Sequence, residues 1–155
     1  MLQHSADAAD LRILRLLQGD GRITNQALAA QAGLSPAACL ERVKRLRKSG
    51  LIKGFAAILD ADRLGCGLVV FIEVLLDRTT DDVFAAFAEH VRRIDAVVEC
   101  HMVAGGFDYL LKVRVSDMAA YRAFLGDILS SIPGVRETRT YVVLEQVKDT
   151  TRIPI

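Results

Sequence analysis

Residues 21–55, GRITNQALAAQAGLSPAACLERVKRLRKSGLIKGF, constrain this chain more than any other stretch. Thr24 is a good N-cap for a helix over 25–32, with Leu28 and Ala29 facing inward. Gly33 makes a tight turn. Ser35 then caps a further helix, and Pro36 sits at its first position, where a missing N–H costs nothing. Leu40, Val43 and Leu46 form the buried stripe of that helix, and Ala38, Glu41, Arg42, Arg45 and Lys48 lie opposite. Ser49 and Gly50 stop it. Two short helices, a glycine turn and a basic second helix have the shape and charge of a helix-turn-helix that lies in the major groove of DNA.

The charge distribution supports that reading. Residues 1–60 carry nine Lys/Arg against five Asp/Glu, a net of +4, and the remainder carries eleven against fourteen, a net of −3. A basic first third on an acidic body fits a DNA-binding head attached to something with another task. Ahead of the motif, residues 7–17 read as an amphipathic helix through Leu11, Ile13, Leu14, Leu16 and Leu17, with Asp7 or Asp10 favourable at its positive end. After it, residues 51–59 read as β-like, a small wing or an arm carrying Lys53. The segment 60–67, DADRLGCG, is the linker candidate, since apolar periodicity lapses and two glycines cluster.

The second part alternates in type. Strands are expected over 68–76, 97–103, 108–115 and 135–147, and helices over 81–94 and 117–132. Val83, Phe84, Phe87 and Val91 line one face of the first helix. Met118, Tyr121, Leu125 and Leu129 line the inner face of the second, which Pro133 and Gly134 break. Leu111, Val113 and Val115 face in, while Lys112 and Arg114 face out. The order β-α-β-β-α-β is the ferredoxin-like arrangement. The fold class is therefore α+β. A winged helix-turn-helix (1–54) leads through a linker strand or hinge (55–67) to a ferredoxin-like domain (68–150) and a short tail (151–155). Two helices cover one sheet face, and a second copy of the chain is the simplest cover for the other.

The assembled pattern resembles the Lrp/AsnC family of bacterial and archaeal transcription regulators. At the head the resemblance rests on Asp10-x-x-Ile13-Leu14, Asp20-Gly21-Arg22-Ile23, Gly33-Leu34-Ser35, Cys39-Leu40-Glu41-Arg42-Val43 and Gly50-Leu51-Ile52-Lys53-Gly54. In the body it rests on Glu99-Cys100-His101, the run from Gly105 to Val113, Asp117-Met118-x-Ala120-Tyr121, Pro133-Gly134-Val135 and the run from Thr138 to Val143. The resemblance implies a DNA-binding head and an effector-sensing body that pairs into homodimers and commonly into octamers. It also implies a small amino-acid effector held between dimers, and control of amino-acid metabolism genes.

Two sets of site residues follow. The N-terminal end of a recognition helix reaches base edges, which nominates Ser35, Pro36, Ala37, Ala38, Glu41 and Arg42. Arginine can bond a guanine edge with two N–H groups, and Glu can accept from cytosine N4. Arg45, Lys48, Lys53 and Arg22 suit phosphates. The second set surrounds the turn Val103, Ala104, Gly105, Gly106, Phe107, Asp108, Tyr109. By residue type this is either a plain glycine hairpin ended by Asp108, or a place where glycine N–H groups hold a carboxylate and Asp108 takes an ammonium. The resemblance favours the second. Met102, Met118 and Val142 would supply an apolar pocket, and Thr138, Thr140 and Tyr141 are further candidates from the last strand. Such a pocket favours leucine or another aliphatic amino acid, since an unpaired buried charge is costly.

Other classes find little support. His4, His90 and His101 lack metal spacing, and Cys39, Cys66 and Cys100 read as free, mostly buried thiols. No Walker loop, GxSxG or dinucleotide fingerprint is present, so neither a cofactor nor an enzyme is expected. The polar start is unlike a signal peptide and no apolar run is long enough to span a membrane, so the expected location is the cytoplasm, at the nucleoid. One alternative stays open: an amino-acid-binding or enzymatic ferredoxin-like module whose head no longer binds DNA.

Overall fold

A computed structural model of the chain describes residues 6–132 and 134–155, and all side chains there except those of 127–131. His4, Pro133 and the side chain of Leu129 lie outside these. The chain divides into two compact units. One combines the residues up to Ile58 with Asp149–Ile155, and the other is Leu59–Lys148.

In the first unit, α1 spans Ala8–Gly19, α2 Asn25–Ala32 and α3 Pro36–Lys48. Local chemistry sets each start. The Asp7 carboxylate accepts the Asp10 N–H at 2.8 Å and the Asp10 carboxylate accepts the Asp7 N–H at 3.2 Å, a reciprocal capping box. Thr24 and Ser35 accept the N–H groups of Ala27 and Ala38. Past α2, Gly33 adopts the left-handed conformation (φ 70°, ψ 39°). The Leu34 N–H donates to Ala29 O and the Gly33 N–H to Ala30 O, the paired closure of a Schellman motif. Ile13, Leu28, Ala29, Ala32, Cys39 and Leu46 form the core. The expected stripe on α3 is off by one residue: Cys39 is fully buried and Leu40 is 43% exposed. Cys39, Val43 and Leu46 are spaced i, i+4, i+7, whereas Leu40 is rotated about 100° from Cys39.

Residues 51–59 contain no strand, contrary to expectation, although the Ile52 N–H donates to Leu46 O and Ile52 packs on the core. Asp149–Ile155 returns to α1. The Gln18 side chain donates to Ile153 O and accepts from Ile153 N–H, Arg152 Nε donates to Gln18 O, and Arg15 Nε donates to Ile155 O.

The second unit is a four-stranded antiparallel sheet, order β2-β3-β1-β4, with β1 at Leu68–Leu76, β2 at Val97–Met102, β3 at Tyr109–Val115 and β4 at Val135–Val142. Helices α4 (Asp81–Val91) and α5 (Met118–Ser131) complete the ferredoxin-like βαββαβ order. Val70, Ile72, Val74 and Leu76 of β1 and Tyr109, Leu111, Val113 and Val115 of β3 meet Phe87, Val91 and Tyr121 in the core.

Three elements stop earlier than expected. α4 ends at Val91 because Arg93 and Ile94 donate to His90 O and Val91 O in a tighter turn. β2 gives way at Val103, whose N–H reaches across to Asp108 O. β4 ends at Val142, opposite Val70, because β1 begins at Leu68 and offers little partner beyond; Leu144 and Val147 are exposed. Met118 does not face inward but stands 46% exposed in the first turn of α5. Cys39 is buried, but Cys66 and Cys100 are exposed, against the expectation of mostly buried thiols.

Candidate nucleic-acid interface and effector site

Helix α3 carries two charged faces with different surroundings. Ala37, Glu41, Lys44 and Lys48 fall at i, i+4, i+7 and i+11, hence on one face, and all are exposed. Glu41 and Lys44 pair at 2.8 Å. Ser35, Pro36, Ala38, Lys53 and Arg22 are also exposed. Asn25 Nδ2 donates to Pro36 O at 2.8 Å and Arg12 Nε to Ala32 O at 3.3 Å, fixing α2 against its neighbours.

Arg42 and Arg45 both bond carboxylates at the start of α1. Arg42 Nη1 donates to Asp7 Oδ2 at 2.6 Å and to Asp10 Oδ1 at 2.9 Å. Arg45 Nη2 donates to both Asp10 oxygens, at 2.8 and 2.7 Å. The Arg42 hydrogen bond, with help from the Asp10 N–H, holds the Asp7 carboxyl down to about 2. The same contacts raise Arg42, through Asp7 first and Asp10 second. Lys44, absent from the expected set, lies on the outward face. Its helical phase relative to Cys39 and Leu46 is the signal that could have found it.

In the body, the turn 103–108 exposes Ala104, Gly105 and Gly106. Asp108 is tied to β1: its N–H donates to Val74 O and its Oδ2 accepts from Leu76 N–H at 2.7 Å. Tyr109 is 3% exposed and stacks on Phe87, ring centroids 4.4 Å apart, with its hydroxyl donating to Phe84 O. Burial in this core raises the Tyr109 phenol. Thr140 bonds the Tyr121 hydroxyl, and Tyr141 donates to Glu73 at 3.1 Å. Register puts Met102 opposite Tyr109, Thr138 opposite Val74 and Val142 opposite Val70.

A cleft of ≈ 20 Å³ opens between Glu73, Leu75, Gly106, Phe107, Glu137 and Arg139. That is room for about one water. Of the expected effector turn, Gly106 and Phe107 line it. Glu99 pairs with Lys112 at 3.0 Å on the sheet, and Lys112 and then His101 hold the Glu99 carboxyl below its usual range. Among the described residues no cluster of His, Cys, Asp or Glu is arranged to hold a metal. No helix described is long and apolar enough to cross a membrane.

Two family models match the chain. A winged helix-turn-helix DNA-binding model covers residues 7–53, and the Lrp/AsnC ligand-binding domain covers residues 69–153. This chain belongs to the Lrp/AsnC family. It is 50% identical over 149 residues to the leucine-responsive regulatory proteins of Klebsiella pneumoniae and of Escherichia coli K12, covering 96% of this chain and 91% of theirs. A transcriptional regulator of Neisseria meningitidis, solved as an L-methionine complex, superposes with a TM-score of 0.91 at 37% identity, covering 97% of each chain. An AsnC-family regulator of Agrobacterium tumefaciens superposes with a TM-score of 0.92 at 33% identity, covering 96% of each. As an Lrp/AsnC member, the chain joins a winged helix-turn-helix DNA-binding head to a ligand-binding body.

Proposed function

We infer that this chain regulates transcription in the cytoplasm, at the nucleoid. It does so by laying α3 in the major groove of double-stranded DNA and by sensing an aliphatic amino acid, leucine or one of similar shape. The observation that carries the reading is the capped α2–Gly33–α3 unit, which presents a basic, exposed helix face in a chain that also holds a ligand-binding fold. Ser35, Pro36, Ala37, Ala38 and Glu41 stand nearest the base edges, and Lys48, Lys53 and Arg22 meet phosphates.

Among the described residues, the effector set does not converge on the cleft at Gly106. We place the amino-acid site where the turn around Gly105 and Gly106 meets another copy, with exposed glycine N–H groups offered to the carboxylate. Paired chains then present two α3 helices about one helical turn apart, roughly 34 Å on DNA. Further assembly to an octamer is part of the same reading. The effector acts by binding one state of head spacing or assembly more tightly than the other.

The test is a mobility shift on duplex from the upstream region of the chain's own gene, with and without leucine, over a salt series. Binding that weakens steeply with salt and changes with leucine is expected. Absence of a specific shift under every condition overturns the DNA reading. Light scattering across chain concentrations tests the dimer and the octamer.

A further inference from the structure

The sequence offers Arg42, Lys44, Arg45, Arg47 and Lys48 as one basic run, but the fold treats them unequally. Asp10 is 3% exposed, and its two oxygens carry one bond from Arg42 and two from Arg45. Asp7 completes the group through Arg42. Two carboxylates and two guanidinium groups sum to zero charge. Withdrawing either arginine towards a DNA phosphate leaves the buried Asp10 carboxylate with the other guanidinium alone and fewer hydrogen bonds, which is unfavourable. Lys44 has no such obligation. Its partner Glu41 is as open to water as Lys44 itself, and an exposed pair of this kind is readily exchanged. Lys48 is exposed on the same face.

We propose that Asp10 is a positioning residue of the DNA interface: it holds Arg42 and Arg45 on the α1 side of α3, removes them from the phosphate-binding set and leaves the phosphate contacts of α3 to the exposed Lys44, Arg47 and Lys48, beside Arg22 and Lys53 elsewhere in the head. The inference rests on the DNA reading above and refines it. The charge that binds DNA is smaller than the composition of α3 suggests, and the guanidinium groups instead fix the rotation of α3 about its axis. That rotation decides that Ala37 and Glu41, and not Arg42, meet the groove.

The experiment measures affinity of the full chain for the upstream duplex and for a random duplex over a salt series, in parallel with K44A, K48A, R42A and D10N. Each phosphate contact contributes about 0.9 to the slope of log affinity against log salt. Slopes reduced by about one in K44A and K48A, with the slope of R42A equal to that of the unaltered chain, are expected. For D10N the ratio of specific to random affinity drops by roughly tenfold, the scale of one mismatched base pair, while the slope does not fall, because the Arg45 guanidinium is released and Arg42 keeps only Asp7. A slope reduced by about one in R42A makes Arg42 a phosphate ligand and overturns the proposal, as does an unchanged affinity ratio in folded D10N. If circular dichroism shows D10N unfolded, the R42A slope decides alone. Absence of specific binding by the unaltered chain overturns the DNA reading itself, a result distinct from either.

Discussion

Gly33 sets the turn between α2 and α3, and its replacement by alanine has a calculable effect. At φ 70° and ψ 39° the backbone is left-handed, where an L side chain is strained by about 1–2 kcal/mol. A Cβ built at this position meets nothing within 4 Å, so no collision adds to that strain. Alanine also lowers the entropy of the unfolded chain, which returns about 0.4–1 kcal/mol. The net loss is about 1 kcal/mol. Because the Schellman hydrogen bonds use backbone alone, G33A keeps them. For a unit of this size that loss lowers the midpoint of the head's thermal transition by about 4–8 °C. G33N, whose side chain tolerates this conformation, lowers it less. Differential scanning calorimetry reads both. With the folded head still dominant at 25 °C, affinity for the upstream duplex stays within about twofold. A loss of several kcal/mol, or no loss, refutes the conformational account. A tenfold fall in DNA affinity with only the expected thermal shift refutes the purely structural role of this glycine.

Four further outcomes follow from the same geometry. Phe87→Ala removes a fully buried ring stacked on Tyr109 and costs the body about 3–5 kcal/mol in urea denaturation, with the head transition unmoved. Gln18→Ala deletes both bonds to the Ile153 backbone and speeds amide exchange at Ile153 without unfolding the body. Asp7 has its folded carboxyl depressed to about 2, so its contribution to head stability is full above its ordinary value near 3.8 and disappears as pH falls through about 2; D7N flattens that part of a pH-stability curve, as calorimetry will show. Leucine affinity by calorimetric titration rises with chain concentration, since the amino-acid site is completed by a second copy; equal affinity for a monomer and for an assembly removes that account.

How far the sequence reveals the structure depends on the range of the forces involved. The starts of α2 and α3 are legible because Thr24, Ser35 and Pro36 act within one turn, and Gly33 within two residues. The ends of α4 and β4 are not, because tight turns and the extent of β1 decide them. The Leu40 error is an error of phase: in the run Ala37, Ala38, Cys39, Leu40 hydrophobicity alone does not say which residue turns inward. The commitment of Arg42 and Arg45 to α1 depends on Asp10, over thirty residues away. A charged run in sequence looks uniform until the fold supplies such a partner. The return of Asp149–Ile155 to α1 has no periodic or capping signature at all.

The amino-acid site proposed for the body reads from the sequence as a turn, and the surroundings of that turn bear on how the site would form. Asp108 is occupied in joining the turn to β1, Tyr109 in the core and Thr140 with Tyr121. What remains open is the backbone of Gly105 and Gly106 and a cleft large enough for about one water. Leu59, Leu64, Val98, Leu144 and Val147 stand exposed on the same unit. Apolar side chains in this number are costly to leave in water and gain from a partner surface. A free amino acid presents an ammonium, a carboxylate and a side chain, and the cleft at Gly106 is too small to enclose all three. If the enclosure forms only as copies meet, binding and association are linked, and each must strengthen the other by the same factor. The paired arginines of α3 fit this logic: a head with two of its cations held to its own carboxylates binds DNA more weakly alone, and control over how many heads are gathered becomes control over occupancy of DNA.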